Sequence, residues 1–345
     1  MLEKSHRRSF LLTIRATARQ AGTYSTMTAG LFATITGVKS EHKTLFCTCW
    51  MEEYTVLTAS AVVAARRFAI AFAFACLGAL AWASCAGAAD EVKIAGTGSA
   101  LGGMRLLAEA YGKFDRGTKV SVLPSLGSSG GIKAVLAGAV DIGVSSRPLR
   151  DNERARGAIA LEYARTPFVF ATADVTKATG ISLADLPDIY RGKIRTWPDG
   201  TRIWLVMRPK ADSDSTLIDS ISPEVGAAVA QARERPGLLV AVTDQECAMA
   251  LEKHIGSLGP STLALIFSEN RKLKALELNG IEPTASNLAA GIYPYYKPLY
   301  IVTHSKTSKA ARKFVAFVQS NAGQKVLRQT GHAVPPFGAD TRGPR

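Results

Sequence analysis

Val92-Lys-Ile-Ala95 running into Gly96-Thr-Gly-Ser-Ala-Leu-Gly-Gly103 decides the fold, because four residues of strand character meet a glycine-rich loop. The stretch after it, Met104 to Phe114, carries Leu106, Leu107, Ala110, Tyr111 and Phe114 at the spacing of one helix face. The unit then recurs. Val120-Ser-Val-Leu123 reads as a strand, Gly127-Ser-Ser-Gly-Gly131 as a loop and Ile132 to Ala137 as a helix. Val140-Asp-Ile-Gly-Val144 is a third strand, ending in Ser145-Ser-Arg-Pro148. Strand, glycine loop and helix in alternation predict an α/β fold with a parallel sheet.

Further out, Phe168–Thr172 and Leu299–Thr303 are apolar strands of buried character. Between them the pattern predicts a helix at Leu183–Tyr190, a strand at Ile203–Met207, a helix near Ser222–Ala232 and a helix from Pro260 to Glu269. A closing helix, Ala310–Leu327, is amphipathic through Phe314, Phe317, Val318 and Val326. A chain that leaves one lobe near Phe168 and returns near Tyr300 makes two lobes joined by two strands. The predicted division is residues 90–168 with 300–345 as the first lobe and 169–299 as the second. Clefts between such lobes are favoured places for ligands.

The chain has 345 residues, 47% of them hydrophobic and 20% charged, which excludes disordered and collagen-like classes and suits two domains. Its net charge of +14 divides into +5 on residues 1–89 and +9 on residues 90–345, without Lys/Arg runs. A diffuse excess of this kind argues for a soluble anion binder and against a nucleic-acid partner. Of five cysteines only Cys247 lies beyond residue 90, so the body has no internal disulfide or thiolate zinc site, and no metal or cofactor is expected. Cys47-x-Cys49 lacks a second pair to complete a metal set.

Arg66-Arg67, the uncharged apolar run Phe68–Trp82 and the small residues of Ala86-Gly-Ala-Ala-Asp90 form a secretory signal over residues 66–89. The run falls short of the roughly 20 residues that span a bilayer. Cleavage after Ala88 or Ala89 gives a periplasmic chain beginning near Asp90. An uncleaved anchor and acylation at Cys85 are the competing readings. Residues 1–65 form an unassigned extension, explained if translation starts near Met51.

Three segments share small and hydroxyl residues: Gly98-Ser99-Ala100, Ser128-Ser129-Gly130-Gly131 and Asp212-Ser213-Asp214-Ser215-Thr216. The first two precede helical patterns, and helix starts leave unpaired N–H groups that favour oxyanions. Arg208, at the end of the Ile203–Met207 strand, could add a forked cationic donor. Taken singly, each serine is ordinarily a helix cap and each glycine a turn.

At these residues the chain resembles a known family. Ile94-Ala-Gly-Thr-Gly-Ser-Ala100, Leu126-Gly-Ser-Ser-Gly-Gly-Ile-Lys133, Gly138-Ala-Val-Asp-Ile-Gly-Val-Ser-Ser-Arg-Pro-Leu149 and Asp188-Ile-Tyr-Arg-Gly-Lys-Ile-Arg-Thr-Trp197 are similar to segments of the phosphate-binding subunit of bacterial phosphate ABC importers. So are Tyr293-Pro, Pro298-Leu-Tyr300 and Gly323-Gln324. The resemblance runs over about residues 90–338. It implies a type II periplasmic binding fold, two α/β lobes joined by a two-strand hinge that close on a ligand, with a membrane ABC permease as partner and a monomeric state. Carried over residue by residue, the ligand set is Ser99, Ala100, Leu101, Ser128, Ser129, Gly130, Ser146, Arg208, Asp214, Ser215 and Thr216. Two departures bear on which oxyanion is held. The family's usual Asp is here Ser146, and its Arg-x-Asp-Gly-Ser-Gly-Thr motif is Lys210-Ala-Asp-Ser-Asp-Ser-Thr216 with Arg208 two residues earlier. A carboxylate acceptor takes a hydrogen bond from protonated phosphate, which sulfate cannot offer. Asp212 or Asp214 replaces it, or merely caps a helix.

Gly127-Ser-Ser129-Gly-Gly131 also fits the Gly-x-Ser-x-Gly elbow of a serine hydrolase with Ser129 as nucleophile, and Asp244 with His254 or His304 follows in a workable order. No His-Gly-Gly loop precedes it, and His254, His304 and His332 lack a catalytic setting. An extracytoplasmic anion sensor needs the same trap as a transport subunit, so sequence leaves the two apart from each other only by gene neighbourhood. Tyr293, Tyr295, Tyr296 and Tyr300 are read as hinge packing, and Lys306, Lys309, Arg312 and Lys313 as a solvated helix start.

Overall fold

β1 (Asp90–Gly96), α1 (Gly98–Phe114), β2 (Thr118–Val122), α2 (Gly127–Leu136) and β3 (Ile142–Ser145) follow the expected alternation in a computed structural model that describes residues 90–336. The expected extension (1–65), the export signal (66–89) and residues 337–345 lie outside the described residues. β1 pairs in parallel with β2 on one side and β3 on the other. The apolar face of α1, including Leu101, Met104, Leu107 and Tyr111, packs into a core with Val92, Ile94, Ile142 and Val144.

After the short α3 (Asp151–Ala155), β4 (Ala158–Ala173) changes neighbours halfway along. Its first part, Ala158–Pro167, runs antiparallel to β11 (Tyr296–His304), and Phe168–Ala171 runs antiparallel to β8 (Ser257–Thr262). Between β4 and β8 come β5 (Gly180–Ile181), α4 (Leu186–Arg191), β6 (Trp204–Met207), α5 (Ser213–Asp219), α6 (Pro223–Arg233), β7 (Leu239–Val240) and α7 (Asp244–Lys253). After β8 follow α8 (Leu263–Ser268), β9 (Leu273–Ala275), β10 (Glu277–Leu278) and α9 (Ala285–Ala289), and β11 leads into α10 (Lys309–Gln319) and α11 (Asn321–Gln329). The main sheet has the order β2-β1-β3-β11-β4-β8-β6-β7 with β9 on β4, and β5 pairs with β10.

The residues sort into separate cores. One holds Leu299, Ile301, Phe314 and Phe317 beside the α1 face. Another gathers Phe168, Phe170, Leu186, Tyr190, Ile218 and Tyr293. β4 passes from the first to the second, and the segment from Tyr293 into β11 at Leu299 returns, so two α/β lobes are joined by two strands. Among the described residues no helix is long and apolar enough to cross a membrane, and no His, Cys, Asp and Glu cluster is arranged to hold a metal.

Gly98–Gly103 and Gly127–Gly131, expected as loops, are the opening turns of α1 and α2, and two further expected elements differ. Pro260–Thr262 belong to β8, and the helix starts only at Leu263, where the Thr262 hydroxyl accepts from the N–H of Leu265. The closing helix is two helices. Ser320 adopts an extended conformation between them, and its hydroxyl accepts from the N–H of Gly323.

Candidate functional site

A cleft of about 600 Å³ lies between the lobes, within the range of roughly 300–1,000 Å³ found for small-ligand sites. Ser128, Ser129 and Gly130 line it from the start of α2, and Ser146 from the end of β3. Ser213 and Thr216 of α5 face the same space. The hydroxyls form a connected line. Ser146 Oγ donates to Ser213 Oγ at 3.0 Å and lies 3.0 Å from Ser128 Oγ, which also accepts from the Ser146 N–H. Ser128 and Ser146 belong to the first lobe and Ser213 to the second.

Behind this wall sits a buried charge network. Lys297, on β11, is fully buried, and its ammonium contacts Asp214, donates to Ser99 Oγ at 2.9 Å and pairs with Asp244 at 3.3 Å. Arg208 donates to the Ala241 carbonyl at 2.8 Å and pairs with Asp212 at 3.0 Å and Asp214 at 3.3 Å. Burial alone would drive both cations toward neutrality, but the three facing carboxylates hold them charged, Asp214 foremost for each. Burial pushes Asp214 up to about 6, against the pull of Lys297. Asp244 goes the other way, to about 2, because Lys297, Arg208 and the Ser99 hydroxyl outweigh its burial.

The expected ligand residues therefore divide. Ser128, Ser129, Gly130, Ser146 and Thr216 line the cleft. Ser99, Ala100 and Leu101 are buried in the first turn of α1, with the Ser99 hydroxyl donating to Asp244 at 2.7 Å. Arg208, expected to offer a free fork, lies behind the wall with its N–H groups engaged by Asp212 and Ala241. Asp214 is turned inward to Lys297 and Arg208, and the Ser215 hydroxyl donates to the Arg208 carbonyl. The physical reason is sequence-local: α5 starts at Ser213 with Asp212 as its cap, so Asp212 and Asp214 bracket the guanidinium two residues apart.

Cationic charge reaches the cleft from arginines that sequence reasoning did not single out, Arg147, Arg150 and Arg165. Arg147 donates to Ser129 Oγ at 3.0 Å and binds Glu153 at 2.7 Å, which holds that carboxyl down to about 2. Arg165 pairs with Glu162 at 2.6 Å and lies 4.9 Å from the centroid of the Tyr296 ring. Tyr296 and Tyr300, read as hinge residues, also line the cleft. The only available signal for Arg147 was its place after Ser145-Ser146 at the end of a strand.

Against the hydrolase reading, among the described residues no base is hydrogen-bonded to Ser129, which accepts from Arg147 instead. His254 stacks on Trp204, His304 accepts from the N–H of Lys306, and His332 is buried against Leu327 and Thr330.

A family model described as the PBP superfamily domain matches residues 83–322. The chain belongs to that superfamily. It is 27% identical over 233 residues to a phosphate-binding protein PstS of Borreliella burgdorferi, covering 64% of this chain and 81% of that one. It is 26% identical to a phosphate-binding protein PstS of Staphylococcus saprophyticus, covering 68% and 78%. Among solved structures, a phosphate ABC transporter substrate-binding protein with bound phosphate from Clostridium perfringens matches with a TM-score of 0.60 at 21% identity, over 71% of this chain and all of that one. A high affinity periplasmic phosphate-binding protein bound with phosphate matches with a TM-score of 0.56 at 13% identity, over 72% and 91%. At these identities the structures establish the fold, a type II periplasmic binding architecture.

Proposed function

We propose that this chain, exported by cleavage near residue 89, is a periplasmic solute-binding protein. It captures phosphate or a similar tetrahedral oxyanion as a monomer, without chemistry or cofactor, for a membrane ABC permease. The observation that carries the reading is the line of hydroxyls from Ser128 through Ser146 to Ser213, which crosses between lobes inside a cleft that also receives Arg147, Arg150 and Arg165. Hydroxyl donors set around one point, with guanidinium groups beside them, replace the hydration of a small anion, and each charge-assisted bond contributes about 1.5–3 kcal/mol. The curated relatives at 26–27% identity are phosphate-binding proteins by name, which supports the same ligand class. The first lobe takes residues 90–168 and 300–345 and the second 169–299 in this reading.

Calorimetry of the exported protein against phosphate, sulfate, molybdate and tungstate tests it. One site per chain is expected for at least one of the four. Ser128→Ala and Ser146→Ala should each weaken that binding by about tenfold or more without lowering the unfolding temperature of the free protein substantially. Absence of heat and of any thermal stabilisation with all four ions would remove the reading.

A further inference from the structure

The first turn of α1 has the makings of an anion seat: the positive end of a helix dipole, a buried hydroxyl at Ser99 and a buried ammonium at Lys297. A carboxylate of this chain already occupies it. Asp244 Oδ1 accepts from Ser99 Oγ at 2.7 Å and from Lys297 Nζ at 3.3 Å. A Cβ added to Gly98 would lie 2.7 Å from Asp244 Oδ2, so the carboxylate rests against the first residue of the helix. Gln245 beside it donates from Nε2 to the Gly98 carbonyl at 3.1 Å, while its Oε1 is buried without a hydrogen-bond partner among the described residues. Asp244 and Gln245 open α7 in the second lobe, whereas Gly98 and Ser99 open α1 in the first. The contact crosses the cleft.

We propose that Asp244 is an intramolecular stand-in for the ligand, which competes with diffusible anions for Ser99 and Lys297 and so determines which ions the cleft retains and how tightly. Asp212, Asp214 and Asp244 face Arg208 and Lys297, three carboxylates against two cations. While Asp244 is in place, the network carries one carboxylate in excess of its cations, which repels an incoming anion. A captured oxyanion is confined to the Ser128–Ser146 wall and its arginines. Neutralising Asp244 balances the network at two against two. Deleting its side chain vacates the place beside Ser99 and Lys297 where its carboxylate accepts from both, the size of a small carboxylate anion. The proposal refines the oxyanion reading in its phosphate arm and is independent of it in its formate arm.

The test uses the exported protein and its Asp244→Ala and Asp244→Asn variants. Thermal unfolding is followed with sodium formate and with sodium chloride at matched ionic strength, and phosphate is titrated calorimetrically. Formate should raise the unfolding temperature of Asp244→Ala saturably above the chloride control and leave the unsubstituted protein unmoved. Asp244→Asn should bind phosphate about tenfold or more tightly than the unsubstituted protein, the equivalent of one recovered charge-assisted bond. Formate acting no better than chloride on folded Asp244→Ala, or phosphate binding weakened in Asp244→Asn, overturns the proposal. If the alanine variant does not fold, the asparagine titration decides. An unsubstituted protein that ignores phosphate while Asp244→Asn binds it would uphold the stand-in and sink the oxyanion reading of the intact cleft, so the two fail separately.

Discussion

Lys297 shows what a single residue carries in this fold. Its ammonium is enclosed by Asp214, Asp244 and the Ser99 hydroxyl, and the side chain is fully buried. Removing one member of a buried ion network strands the others, at a cost of about 3–5 kcal/mol. Lys297→Met should lower the denaturant midpoint accordingly while the slope of the transition stays constant. Asp214 gives the deficit a pH signature. Its folded-state carboxyl titrates near 6, above the unfolded value near 3.9, so protonation favours the folded form between those limits. Without Lys297 the Asp214 carboxyl rises further above 6. The loss should therefore be largest above that raised value and shrink as pH falls through 6, below which both proteins hold Asp214 protonated. A pH-independent loss, or one below about 1 kcal/mol, would mean that Lys297 does not hold the carboxylates together. Nothing local in the sequence marks this lysine. Asp212–Thr216 reads as a polar cluster and Arg208 as its cation, but the partners Ser99, Asp244 and Lys297 lie far apart along the chain and no period links them.

The elements were more legible than the site because their signals are local. Alternation of strand, glycine loop and helix from Val92 to Ser145 corresponds to β1, α1, β2, α2 and β3. Gly96 shows why that junction needs glycine. Its φ of 149° is strained for other residues, and a Cβ there would lie 1.9 Å from the Val144 carbonyl oxygen of the neighbouring strand. Gly96→Ala must therefore push β1 from β3 at the point where α1 begins. We expect destabilisation of about 4 kcal/mol or more, or failure to accumulate as folded protein, read by circular dichroism and denaturant unfolding. A variant with native stability would show that the strand junction tolerates displacement. Where the elements were misread, a side chain competed with the period. Pro260 resembles a first helical residue, but the cap two residues later at Thr262 sets the start. The apolar spacing from Phe314 to Val326 continues across Ser320, which nevertheless breaks the helix by capping the next one.

At the scale of the whole molecule, the segment after α11, Gly331–Ala333, ties back to the strand that joins the lobes. Arg165 and Ala333 exchange main-chain hydrogen bonds at 2.8 and 2.9 Å, and Thr166 Oγ1 donates to the Gly331 carbonyl at 3.2 Å. His332 sits between these contacts, fully enclosed, with Nδ1 against the Leu327 carbonyl and the Thr330 hydroxyl and its ring over Gly103 of α1. Burial lowers its pKa to about 4, although the Leu327 and Thr330 contacts pull upward. The unfolded chain binds the proton near pH 6.5, so the neutral ring supports the fold fully above that value. Support is lost as pH falls toward 4, by about 3 kcal/mol for the whole shift. Asp214 works in the opposite sense over part of the same window, so the stability of the unsubstituted protein will be flatter than His332 alone dictates. The difference between proteins isolates the histidine. His332→Asn keeps a donor near Leu327 but cannot take up the proton, and it should be less stable than the unsubstituted protein at pH 7. Its stability should fall less between pH 6.5 and 4, bringing the two curves together in acid. Denaturant unfolding at a series of pH values reads this directly, and parallel curves would show that the tie at His332 does not titrate.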